Sequence, residues 1–266
     1  MGYYIEYRWL DKAAIIDPQE GATSSNLCRV EQVTDVKSLL TLIPLWATFF
    51  VYSLVEATGY TFFIGQTSNL DDKITHNVKV PIVAFFVLKS CTRFVVELLF
   101  CIFWSKKANE QHVSRVRMGI GMVCSILCCF AAWQVEVHRL EEVHRYLDDT
   151  ITISMSVLWL APQFFFLGLM EGFASEGLEV IFDNHVMTES MKRIGTLFTV
   201  CIIGFGNFFS TPFVLLKRDW FMDTINESHL DSYFLTLAIS SSVFLCFNLF
   251  VAFMLYAPQG RFRTLI

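Results

Sequence analysis

Apolar residues along this chain come in long blocks, at about 39–63, 80–104, 118–137, 153–181, 194–216 and 233–256. Each block holds about twenty residues or more, which at about 1.5 Å per residue crosses a hydrocarbon core of about 30 Å. Only helices and closed barrels satisfy the backbone in lipid, and the blocks lack period-2 alternation, so the pattern predicts six transmembrane helices and an all-α membrane protein. What flanks the blocks is polar. Residues 1–38 read as a cytosolic linker, with a loop around Pro18, Gly21 and Ser24 and an amphipathic stretch EQVTDVKSLL leading into the first span; residues 257–266 read as a cytosolic tail. The polar start has no basic region followed by an apolar core, so no cleavable signal peptide is expected.

Composition agrees with a bilayer as the main partner. Apolar residues make up 54% of the chain and aromatics 15%, and 27 Phe against 6 Pro suit lipid-facing helices better than a soluble core. The net charge of −5 decides little, because placement matters more than the sum. Basic residues do show a bias. Arg8, Lys12, Arg29, Lys37, Lys106, Lys107, Arg115, Arg117, Lys192, Arg193, Arg261 and Arg263 fall on one side of the predicted spans. Lys73, Lys79, Arg139, Arg145, Lys217 and Arg218 fall on the other, and this two-to-one excess places both termini in the cytosol. Of the 8 cysteines, all but Cys28 lie in apolar runs and none forms a CxxC pair, which argues for small hydrophobes over a disulfide or zinc framework. No His cluster, nucleophile motif or phosphate loop is present, and His138 and His144 read as part of an external loop. Enzyme, metal-site and nucleic-acid readings therefore find no support, and no cofactor is implied.

The informative positions are ionisable residues inside the spans. Glu171, in the run ITISMSVLWLAPQFFFLGLMEGFASEGLEVIF, lies about 27 Å from Ile153 at about 1.5 Å per residue, near the midplane or somewhat below it. A carboxyl group there is a functional-site hypothesis by default. Its bland alternative is a neutral acid hydrogen-bonded within the bundle. Glu56, in VYSLVEATGYTFF, reaches a depth of about 21 Å from the cytosolic side, and two acids at comparable depth suit a proton relay. Tyr60 and Thr61 can donate hydrogen bonds to a solute or serve helix packing. Lys89, Arg93 and Glu97 share one face at i, i+4, i+8, where they either neutralise one another or contact a substrate; Lys89 can instead snorkel outward. Glu176, Glu179 and Asp183 continue toward the inner mouth. Gly168 and Gly172 form GxxxG beside Glu171, Gly119 and Gly121 open the third span, and Gly204 and Gly206 lie in the fifth, all marking close helix contacts. Pro162 and Pro212 can kink their helices. A chain with a polar arm and six spans can also be one structural repeat of a larger transporter.

Several strings taken together resemble the plant nitrate and peptide transporter family, the proton-coupled oligopeptide transporter branch of the major facilitator superfamily. LDKAAI resembles the pattern before that family's seventh helix. IPLWATFFVYS and TFFIGQTSNLD resemble the helix and its exit. RMGIGM with AAWQVEVHRL resembles the ninth, MSVLWLAPQFFFLGLMEGFASEGLE the tenth, and INESHLDSYF the approach to the twelfth.

The resemblance implies the C-terminal six-helix bundle of a major facilitator fold, with protons as the coupling ion. A peptide, nitrate or plant metabolite would be the small solute, and the plasma or vacuolar membrane the location. It implies that Glu171 faces the cavity and takes part in proton or substrate binding, with Glu56, Tyr60 and Thr61 as further contacts. The family's lysine partner for this glutamate belongs to an N-terminal six-helix half, so Glu171 is expected to be neutral in this chain alone. An ionised Glu56 would repel nitrate. Where the family more often has AQ, this chain has Ala57 and Thr58, and the loop DNHVMTESMKR lacks the family's usual proline. The alternative reading is a truncated, transport-incompetent membrane protein that associates with full-length carriers.

Overall fold

The computed structural model describes residues 10, 30–68, 70–75, 78–104, 110–145, 153–185, 192–193, 195–222 and 224–256. LDKAAI beyond Leu10, the polar arm with Arg8, Lys12, Cys28 and Arg29, the Lys106–Lys107 loop, the stretch 186–191 and the tail with Arg261 and Arg263 lie outside the described residues, as does the side chain of Glu176.

The described chain is mostly helix. α1 (Val30–Tyr60) joins the amphipathic lead-in to the first apolar block in one run, and a break at Thr61 separates it from the short α2 (Phe62–Thr67). After β1 (Leu70–Asp71), β2 (Lys73–Thr75) and β3 (Val78–Lys79) come α3 (Val83–Trp104) and α4 (Glu110–Arg145). β4 (Ile153–Ser156) and a 3-10 turn (Val157–Leu160) lead into α5 (Ala161–His185). α6 (Gly195–Phe208), α7 (Ser210–Leu216), a second 3-10 turn (Arg218–Trp220) and α8 (Leu230–Tyr256) complete the order. Among the described residues, four helices are long and apolar enough to cross a membrane: Val113–Arg145, Val157–Asp183, Thr196–Leu216 and Leu230–Val251. α1 and α3 are 31 and 22 residues long and carry the charged positions taken up below.

Two small strand pairings were not foreseen from the apolar blocks. β1 pairs in parallel with β4, Leu70 opposite Ile153, and β2 pairs antiparallel with β3. They tie the loop after α2 to the segment that feeds α5.

Packing is densest where α5 meets α4 and α3, with α8 against α4 and α1, and α6 against α1. Phe63 and Phe85 both meet Phe164 at centroid distances of 5.6 and 5.2 Å, which pins α2 and the start of α3 to α5. The Phe excess thus serves two environments. Phe49, Phe63, Phe164, Phe182 and Phe234 are buried, whereas Phe94, Phe205 and Phe208 stand outward.

Helix contacts at glycine decide the spacing. A Cβ on Gly168 would run into the carbonyl oxygen of Lys89 and the side chain of Thr92. One on Gly172 would meet Val96 at 3.1 Å and the Arg93 carbonyl at 3.2 Å. The GxxxG face therefore lies on α3 and lets the two backbones approach closely. Gly204 and Gly119, by contrast, face open space.

Two expectations are corrected. α4 runs on to Arg145, so His138 and His144 are helical rather than in a loop, and His138 packs on Trp159 at 5.0 Å. Pro162 sits in the first turn of α5, where its missing N–H costs nothing, instead of kinking a helix. Pro212 does interrupt its span, because it cannot donate to the carbonyl of Phe208, and the chain breaks there into α6 and α7.

Candidate functional site: a buried charged cluster

Glu171 is not alone among apolar side chains. Its Oε1 accepts from Lys89 Nζ at 2.5 Å, and both side chains are 6% exposed. α3 presents Lys89 because Gly168, one turn before Glu171, brings the Lys89 backbone against α5. This corrects two expectations. Glu171 has an in-chain cation, so the reasoning that left it neutral for want of a first-half lysine does not hold. Lys89 is buried rather than snorkelling, and it leaves the i, i+4, i+8 row to pair across helices.

Tyr60 completes the contact. At the last turn of α1 its ring stacks on Phe86 with centroids 5.9 Å apart, and its hydroxyl accepts from Lys89 Nζ at 2.5 Å. The same ammonium lies 4.3 Å from the Tyr60 ring centroid. Thr61 does not join; its hydroxyl donates to the Ala57 carbonyl one turn back at 2.9 Å, a helix-end bond. Arg93 and Glu97 pair with each other at 2.7 Å on a partly open face.

Glu56 stands on α1 one turn before Tyr60, within electrostatic reach of Glu171, Lys89 and Arg93. On its other side Asn207 of α6 comes within side-chain bonding reach. α6 can approach because Gly206 lies against Ser53, one turn before Glu56. Glu56 Oε2 and Asn207 Oδ1 are both buried and have no hydrogen-bond partner among the described residues. The cluster can hold a proton, and it offers acceptors to a donor.

A second buried network escaped the sequence reading. Arg139, counted there among the external cations, is fully buried with Glu136, donating from Nε and Nη2 at 2.9 and 2.5 Å. Nη1 donates to Asn226 Oδ1 at 2.7 Å, and Nη2 donates also to the Ile225 carbonyl at 3.0 Å. Gln66 donates to Glu136 at 2.5 Å and accepts from Gln163 at 3.1 Å. The i, i+3 Glu136–Arg139 spacing was legible, but nothing in it distinguishes a buried pair from an exposed one. Arg117 was likewise read as a cytosolic cation; it is buried, donating to the Gly172 carbonyl at 2.8 Å beside Glu171.

Long apolar helices enclosing ionisable groups that face one another rather than lipid define a polytopic membrane protein with an internal polar site. The POT family model matches residues 5–225, and the chain belongs to that family, whose members are transporters rather than enzymes. Over 267 residues it is 30% identical to Protein NRT1/PTR FAMILY 5.4 of Arabidopsis thaliana, covering 93% of this chain and 48% of that relative. Protein NRT1/PTR FAMILY 8.2 of the same plant is 31% identical over 260 residues, covering 86% of this chain and 44% of its own length. The chain spans about half the length of the curated relatives it matches.

Proposed function

We propose that this chain is the C-terminal six-helix bundle of a proton-coupled carrier for a small solute, with α1, α3, α4, α5, the α6–α7 pair and α8 as its spans. The observation that carries this reading is the Lys89–Glu171 pair buried between α3 and α5, with Tyr60 of α1 bonded to Lys89 at its exposed edge and Glu56 alongside. A carboxylate that exchanges a lysine for a proton changes the charge inside the bundle, and such a change can be coupled to solute release. The family names of the relatives favour a peptide or nitrate as the solute. The excess of basic residues on one side supports cytosolic termini, and burial removes one cation from each side, Arg117 and Arg139, which leaves the bias in place.

Half-length coverage favours a second reading, in which the chain does not transport alone but associates with a full-length relative. Uptake of labelled dipeptide and nitrate by a heterologous cell expressing this chain, under an inward proton gradient, separates the two. Gradient-driven uptake that Glu171→Gln abolishes supports the carrier. Uptake indifferent to that substitution overturns the mechanism. No uptake, with the chain co-purifying with a full-length family member, favours the second reading.

A further inference from the structure

We propose that Glu56 and Asn207 form a subsite for a protonated amine, a use of the cluster that deepens the carrier reading and rests on it for biological context only. Most polar atoms around Glu56 are already engaged. Lys89 is held by Glu171 and Tyr60, Arg93 by Glu97, and the Thr61 hydroxyl by its own helix. On the α6 side of Glu56 two buried oxygens remain, Glu56 Oε2 and Asn207 Oδ1, with no donor among the described residues. Both accept and neither donates, so the corner suits a group rich in N–H.

Around these oxygens Glu56 and Glu171 stand against Lys89, the Arg93–Glu97 pair neutralises itself, and Arg117 is bonded to the Gly172 carbonyl beside Glu171. Nitrate brings no N–H and would add acceptors to two unpartnered acceptor oxygens, so it is disfavoured here. The site is built by packing rather than by a loop. Gly206 against Ser53 brings α6 onto α1, and Asn207 follows as the next residue to reach Glu56. Beyond Asn207 the helix is interrupted at Phe209.

Thermal unfolding of the purified full chain in lipid nanodiscs, followed by tryptophan fluorescence, tests the subsite. The probes are n-butylammonium, butyltrimethylammonium and nitrate at equal ionic strength. The two cations have the same charge, but only the first has N–H donors. n-Butylammonium is expected to raise the midpoint by about 2–4 °C, and the other two to leave it unchanged. Glu56→Gln and Asn207→Leu lose the shift, Asn207→Asp keeps it by retaining an acceptor, and Gly204→Ala, which faces open space, leaves it intact. Should Glu56→Gln not fold, the Asn207→Leu and Asn207→Asp pair decides alone. Equal shifts from the two cations, a shift from nitrate, a shift untouched by Asn207→Leu, or stabilisation by low pH with no further amine effect would each overturn the proposal, the last leaving a proton site only. Binding is read without transport, so absent uptake with amine binding intact removes the carrier reading and leaves the subsite.

Discussion

Lys89 and Glu171 are buried on different helices, and each gives the other a counter-charge in a region where lipid or protein would otherwise strongly oppose it. Breaking a buried pair from one side is costly, whereas replacing both members with apolar groups is often close to neutral. Lys89→Met is therefore expected to lower stability by about 3–5 kcal/mol, and Lys89→Met with Glu171→Leu to recover most of it. Midpoints of the single and double variants in micelles, combined as a double-mutant cycle, check this. Arg139 invites the same treatment with a geometric refinement. Its guanidinium serves Glu136, Asn226 and the Ile225 carbonyl at once, a fork that a lysine cannot reproduce. Arg139→Lys should fall between wild type and Arg139→Ala, with Arg139→Ala losing about 3–5 kcal/mol in the same melting measurement.

Between helices, the separation of backbones governs whether those side chains can meet. Gly168 admits α3 to α5, and a single methyl there meets the Lys89 carbonyl and Thr92. Gly168→Ala is expected to cost about 1–3 kcal/mol and to weaken the Lys89–Glu171 coupling measured by the cycle above. Gly204→Ala, on the open side of α6, should be neutral within about 0.5 kcal/mol. The interruption between α6 and α7 has a separate cause in Pro212. Restoring an N–H with Pro212→Ala should join the two helices through a bond to the Phe208 carbonyl and raise amide exchange protection over residues 210–212, read by hydrogen exchange and mass spectrometry. The sequence marked these glycines and the proline as special. It did not tell Gly168, seated against a backbone, from Gly204, facing nothing, because both read as small residues in apolar runs.

For the molecule as a whole, α3 displays two unlike exposed sides. Phe94, Leu98 and Ile102 stand outward and suit lipid, whereas the Arg93–Glu97 pair is partly open and requires water or protein beside it. In membranes, on a cysteine-free background, Arg93→Cys should react with a membrane-impermeant maleimide at least about tenfold faster than Phe94→Cys, because a thiolate forms only where water reaches. Equal rates would place both sides in the same medium. The outcome locates the polar space of the bundle independently of any transport measurement.

Hydrophobic blocks of about twenty residues were enough to establish a helical membrane protein, because the bilayer imposes length and polarity one segment at a time. Glu56, Tyr60, Lys89 and Glu171 stood out for the same reason: an ionisable or hydroxyl group in an apolar run is visible without knowing its neighbours. Who faces whom was not visible. Lys89 was grouped with Arg93 and Glu97 by helical spacing, yet it pairs with Glu171, 82 positions away. Arg139 was assigned to water and is fully buried, and Asn207 carried no signal until α6 packed on α1. Helical periodicity fixes faces within one element, but partners across elements depend on how closely backbones approach and where a helix ends, and those distances exist only in the folded bundle.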